Sequence, residues 1–457
     1  MKNRVVYTFL LTLLVVAGLG ALHFLPPLSV GGKPLRKVDL LSDIRIDKPV
    51  VVADSDTVAP PVVVRKPAFV DTCRSGMTCI EDYADSASLG MGWFYQALGE
   101  AGRRVVRVAY FGDSFIEADI LTADLREMLQ KRFGGYGVGY VNITTQVAGY
   151  RPTVGHQWNG WGSHAITDTT HFDRSRQDLS NHYFIPHAGA YVLLKGQRKY
   201  ASRLDTCQSS TLYFVSPGEA RITALVNGVH AETFRIAPGD SALQALTVHG
   251  RIGSVQWKVD SVAASSTFYA ATMDPSTGMV VDNFSVRGSS GQQLLNIPVK
   301  MLRQYDRLRP YDLIVLQYGL NVASEQGVNY TYYTKAMAKV IAHLQEAFPR
   351  TSILLVSVGD REYKDENGQL RTMPGVKNLI RYQQALAADT HIAFWNMFEA
   401  MGGEGSIVEM VNAHPQMANY DYTHINFKGG KHIAELLYNA LIYGKEQYEK
   451  RKAYEGR

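Results

Sequence analysis

The strongest constraint in this chain is a β-branched apolar run that stops at a sharp turn and restarts as a helix. Residues 103–109 (RRVVRVA) read as a buried strand. Residues 110–119 (YFGDSFIEAD) come next. Beyond them Leu121, Leu125, Met128, Leu129 and Phe133 recur at helical spacing until Gly134-Gly135 ends the run. Ser114 therefore sits on a strand-to-helix turn, with Asp113 before it. A hydroxyl at such a turn faces the carboxyl edge of a sheet, where free backbone N–H groups can hold an oxyanion. The same tripeptide also suits a plain helix cap, so its meaning depends on the partners the rest of the chain supplies.

Three further blocks supply them, in order. Residues 278–291 (GMVVDNFSVRGSSG) read as a strand running into a glycine turn, where the N–H of Gly288, or of Gly291, could approach a reacting oxygen. Residues 312–321 (DLIVLQYGLN) are a buried strand that ends in Gly-x-Asn, and the Asn321 amide is a neutral donor suited to an oxyanion. Residues 421–426 (DYTHIN) place Asp421 three residues before His424, ahead of a helix near 431–442. An aspartate so placed can accept the histidine Nδ1–H, which leaves Nε2 to take a proton from a serine. Strands at 352–358 and 391–396, with a helix at 376–388 between them, complete an alternating pattern. That pattern predicts an α/β fold, a three-layer, doubly wound parallel sheet with helices on both faces.

Between the first block and the second the chain changes character. Residues 221–226 and 229–234 flank Asn227-Gly228, the preferred two-residue hairpin turn. Short strands at 211–215, 243–249, 254–259 and 266–271 surround that hairpin, which predicts an inserted all-β module over 140–275. Trp158 and Trp161 lie ahead of these strands. They suit either the apolar face of a sugar ring or the packing of a domain joint.

At the start of the chain, residues 5–25 carry no formal charge and are long enough to span a bilayer. They have no clean cleavage site, so residues 1–25 are expected to form a signal anchor. The body would then lie outside the cytoplasm, in the periplasm. Residues 26–88 read as an extended Pro- and Val-rich linker. The remaining boundaries are a first catalytic segment at 89–139, a second at 276–446 and a charged tail at 447–457. Cys73 and Cys79 are close enough to pair in an exported chain, with Cys207 left over. A net charge of +5 over 457 residues gives no footprint for nucleic acid. No His-Glu-x-x-His or other zinc pattern occurs, and the glycines at 134–139 end a helix, unlike a phosphate loop.

Taken together, the four blocks resemble those of the SGNH (GDSL-type) hydrolases. The family pattern falls on Ser114, Gly288, Asn321 and His424, with Asp421 completing a triad. The runs at 112–141, 278–291 and 393–403 are similar to the exported peptidoglycan O-acetylesterase branch, whose members often carry an inserted β-rich, carbohydrate-binding-like module. Phe115 stands where that branch often has histidine. The resemblance implies a serine esterase that removes O-acetyl groups from a cell-envelope polysaccharide, with no metal or cofactor. Ser114, His424 and Asp421 would be catalytic. The N–H groups of Ser114 and Gly288 and the Asn321 amide would form the oxyanion hole. Asp113, Trp158, Trp161 and Gly291 are candidates for substrate binding. Two alternatives share these residues: an O-acetyltransferase served by a membrane acyl-donor partner, and an inactive glycan-binding protein.

Overall fold

A computed structural model describes residues 10–15, 29–30, 33–34, 73–85, 89–168, 170–239 and 241–455. Two compact units are present, residues 1–59 and 60–457. In the first, residues 10–15 are helical and Ser29–Val30 pairs antiparallel with Lys33–Pro34. Most of the expected membrane span lies outside the described residues, and among them no helix is long and apolar enough to cross a membrane.

The second unit carries two large sheets. The first has six strands, in the order Gly278–Ser285, Val105–Gly112, Leu313–Gln317, Ser352–Val356, Ala393–Trp395 and Glu81–Asp82. The first five are parallel and the last is antiparallel. In chain order the parallel strands run 2-1-3-4-5, a doubly wound topology with its switch point between Val105–Gly112 and Leu313–Gln317. These central strands are largely buried on both faces, which explains their mostly apolar sequences. Helices Thr122–Phe133 and Phe427–Glu455 pack together, and Thr331–Ala347 packs with Val299–Leu308 and Pro374–Asp389.

Two sequence expectations need correction here. The last helix spans Phe427–Glu455, so residues 447–455 continue it and are not a separate tail. Tyr448 packs at a tilt against Tyr95, with ring centroids 5.8 Å apart, which gives that final stretch an apolar anchor. The expected linker is ordered at its far end, because Glu81–Asp82 joins the sheet and Cys73 and Cys79 form a disulfide there. The helix after Ser114 begins where the helical spacing does, at Thr122. Residues Ser114–Asp119 form a 3₁₀ turn that closes with Ala118 and Asp119 at positive φ.

The inserted region forms one nine-stranded antiparallel sheet from strand Gly139–Asn142 to strand Thr267–Met273. The Asn227-Gly228 hairpin is present, with both residues at positive φ. Trp257, Phe214 and Phe268 lie in its own core. The insert is also bolted to the catalytic sheet. Arg309 is fully buried and bonds both Asp274, at the end of the insert, and Asp282 of strand Gly278–Ser285, with closest contacts of 2.6 and 2.7 Å. Tyr140 and Tyr305 both donate to the buried Asp178. The chain leaves for the insert and returns from it at one place, where the Gly134 carbonyl accepts the Met279 N–H at 2.9 Å.

Candidate active site

Four loops meet at the carboxyl edge of the parallel sheet, beside its switch point. The first carries Ser114. Asp113 caps the 3₁₀ turn by accepting the Phe115 N–H at 2.9 Å. Asn283, on the neighbouring strand, donates to the Ile116 carbonyl at 2.7 Å and to the Thr122 hydroxyl at 2.8 Å. The nucleophile turn is thus held from both sides. The Ser114 N–H leads the 3₁₀ turn, where no intrahelical acceptor exists for it.

The last loop carries the histidine. Asp421 Oδ1 accepts the backbone N–H groups of Thr423 and His424, each at 3.0 Å, and this turn presents Oδ2 to the imidazole. His424 Nδ1 lies 2.8 Å from Asp421 Oδ2, and His424 Nε2 lies 3.0 Å from Ser114 Oγ. An Nδ1–H held by the carboxylate leaves the Nε2 lone pair facing the hydroxyl. Burial works to raise the Asp421 pKa, but hydrogen bonds from the His424 backbone and ring outweigh it and leave it lowered. Asp421 therefore stays ionised as an acceptor. The loop is secured because Asn426 caps the following helix and Ile425 is buried.

The two remaining loops bring in Asn321 and the glycines. Asn321 Nδ2 donates to Asp113 Oδ2 at 3.1 Å and to the Ser289 carbonyl at 3.0 Å, tying three loops together. The Gly288 N–H meets no acceptor among the described residues, and the residue is exposed at φ +74°. Gly291 is buried, and Ser289 Oγ takes its N–H at 3.0 Å. The free donor is thus at Gly288, while Gly291 shapes the loop against Tyr318. Asp113 is nearly fully buried, and that burial pushes its pKa up to about 6. It sits beneath the site and braces Asn321, which leaves it poorly placed to touch a substrate.

The two tryptophans part ways. Trp158 lines a cavity of about 400 Å³ between the insert and the catalytic loops, beside Glu117 and Arg287. Trp161 turns into the insert core, where it packs on Phe268 and donates its indole N–H to the Tyr191 carbonyl at 2.8 Å. Its expected role in substrate binding gives way to packing. Sequence reasoning missed Arg151, which also lines the cavity. No local signal marks it, because its partner Asp119 is 32 residues away.

No protein-family model and no curated protein matches the sequence. Among solved structures, a peptidoglycan O-acetylesterase matches with a TM-score of 0.66 at 19% identity, covering 80% of this chain and 99% of that one. A family two carbohydrate esterase from Clostridium thermocellum matches with a TM-score of 0.26 at 13% identity, over 62% of this chain and 97% of the other. The first likeness shows that this chain shares the fold of that solved structure over 80% of its length.

Proposed function

We propose that this protein is an exported serine esterase that removes O-acetyl groups from a cell-envelope polysaccharide, with peptidoglycan as the substrate. The observation that carries the reading is the relay Asp421–His424–Ser114, with contacts of 2.8 and 3.0 Å at a sheet switch point. His424 Nε2 takes the Ser114 proton as Oγ attacks the ester carbonyl. The N–H groups of Ser114 and Gly288 receive the oxyanion. Asn321 joins them by turning one N–H away from Ser289 or Asp113. His424 then protonates the departing sugar oxygen and leaves an acetyl-enzyme. Water, deprotonated by His424, releases acetate and restores Ser114.

The substrate class is supported by the likeness to a peptidoglycan O-acetylesterase, together with a cavity that the insert helps to wall. Export and anchoring are supported by the apolar run at 5–25 and by the Cys73–Cys79 disulfide, a bond that persists in oxidising compartments.

The test is acetate release from O-acetylated peptidoglycan by the full-length protein in detergent, beside Ser114→Ala, with and without an unacetylated glycan acceptor. Ser114-dependent acetate release that ignores the acceptor is the expected result. Acetyl transfer to the acceptor would replace hydrolysis by transfer through the same residues. Absence of any Ser114-dependent turnover would leave a glycan-binding protein.

A further inference from the structure

The cavity beside the nucleophile turn is lined by two guanidinium groups, Arg151 and Arg287, and two carboxylates, Glu117 and Asp119. Its wall includes Glu117, three residues past Ser114, and Arg287, next to Gly288. Glu117 and Arg287 pair with each other across it. Deeper in, the Asp119 carboxylate is fully buried and faces two guanidinium groups, Arg126 at 3.3 Å and Arg151 at 2.9 Å. Arg126 is fully buried and Arg151 is only 10% exposed. Among the described residues no second carboxylate pairs with either one, so one carboxylate against two guanidiniums leaves a net charge of +1 in a buried place. Burying an unmatched charge is costly, and such charges are normally compensated.

The geometry of Arg151 sharpens this. Its Nε donates to Asp119 and, at 3.2 Å, to Thr153. Neither of its η nitrogens meets an acceptor among the described residues, and Nη2 is buried. A guanidinium has five N–H donors, and the edge formed by the two η nitrogens is a fork that fits a carboxylate. Asp119 holds the opposite side, so the free edge is oriented before any ligand arrives. Trp158 and Thr144 also line the cavity, offering a ring face and a hydroxyl.

We infer that this cavity binds a carboxylate carried by the glycan, with the Arg151 fork as its anchor, and so places an acidic glycan unit beside the acetyl group to be removed. The inference rests on the esterase reading above and deepens it. In peptidoglycan a carboxylate can come from the lactyl ether of the sugar, once its peptide is gone, or from the peptide itself.

Three O-acetylated substrates separate these cases: the peptide-bearing glycan, the glycan stripped by an amidase, and the stripped glycan with its carboxyls reduced to alcohols. For the full-length protein, loss of the recognised carboxylate, by reduction if the sugar carries it or by stripping if the peptide does, should raise KM about tenfold or more with little change in kcat, the loss expected for one charge-assisted fork. In Arg151→Gln the stripped and reduced glycans should become equivalent. A lower KM for the stripped glycan than for the peptide-bearing one assigns the carboxylate to the sugar, and the reverse assigns it to the peptide. Equal KM for all three overturns the inference, and this comparison needs no variant to fold. Calorimetric titration of the same glycans into Ser114→Ala reads binding without turnover. Carboxyl-dependent binding with no acetate release by the wild type would therefore sink the esterase and keep the site.

Discussion

The Asn321 amide donates to the Asp113 carboxylate at 3.1 Å, so the residue before the nucleophile positions the side chain expected to meet the oxyanion. Asn321→Ala should lower kcat about 10²–10³-fold on an acetyl ester, the usual cost of one oxyanion donor. A steady-state assay that finds kcat unchanged would remove Asn321 from the oxyanion hole.

The relay makes a second prediction. Ser114→Ala and His424→Ala should each abolish most turnover, and the double variant should be no worse than either, because the residues act as a unit. Asp421→Asn should cost roughly 10⁴-fold by favouring the wrong tautomer. Additive losses in kcat would argue against a shared relay.

Asp113 gives a pH signature. Burial raises its pKa from the ordinary carboxylate value to about 6 in the folded protein. The native state therefore binds more protons than the unfolded chain between about pH 4 and 6, and stability falls as pH rises through that window. The contribution is fully present below the unfolded pKa and lost above the folded one. The unfolding free energy of Asp113→Asn from urea melts, relative to wild type, should improve from pH 4 to 7 by an amount of order 2 kcal/mol. A difference that does not change with pH would contradict the buried, perturbed carboxyl.

The two candidate glycines should separate by stability. Both have positive φ, but an added Cβ at Gly288 meets open space, whereas at Gly291 it lies 2.7 Å from the Tyr318 ring. Gly288→Ala should cost about 1 kcal/mol for the backbone alone. Gly291→Ala adds overpacking and should cost about 2–4 kcal/mol. Equal urea midpoints for the two variants would show that the loop does not pack on Tyr318.

Arg309 tests the joint. Arg309→Met would leave Asp274 and Asp282 buried without their cation, at a cost of about 3–5 kcal/mol near neutral pH. The deficit should shrink as the medium is acidified, because the stranded carboxyls can then take up protons. Thermal unfolding at pH 7 and pH 5 reads both effects. A neutral variant would mean that the pair contributes nothing net.

The features legible in the sequence were local ones. Asp421 and His424 sit three residues apart on one turn, and Ser114 ends an unmistakable apolar strand, so their spacing carried their chemistry. The Asn227-Gly228 hairpin was legible because its backbone needs positive φ at both positions. Trp161 was not, since a half-buried strand such as Gly155–Ala165 does not declare which tryptophan faces the core. Arg151, Glu117 and Arg287 were invisible for a related reason. The pair Glu117–Arg287 joins residues 170 positions apart, and only the folded chain brings them to one cavity. The edge strand Glu81–Asp82 is too short to show a period.

The meeting of Gly134 with Met279 makes the whole β-rich region topologically a single long loop. Its ends are so close that a Cβ on Gly278 would lie 2.3 Å from the Gly134 carbonyl carbon. A few residues could bridge that gap, which makes this a natural splice point for grafting another module onto the catalytic scaffold. The graft would need to replace what the native module contributes, namely the carboxylate of Asp274 for Arg309 and a far wall for the cavity.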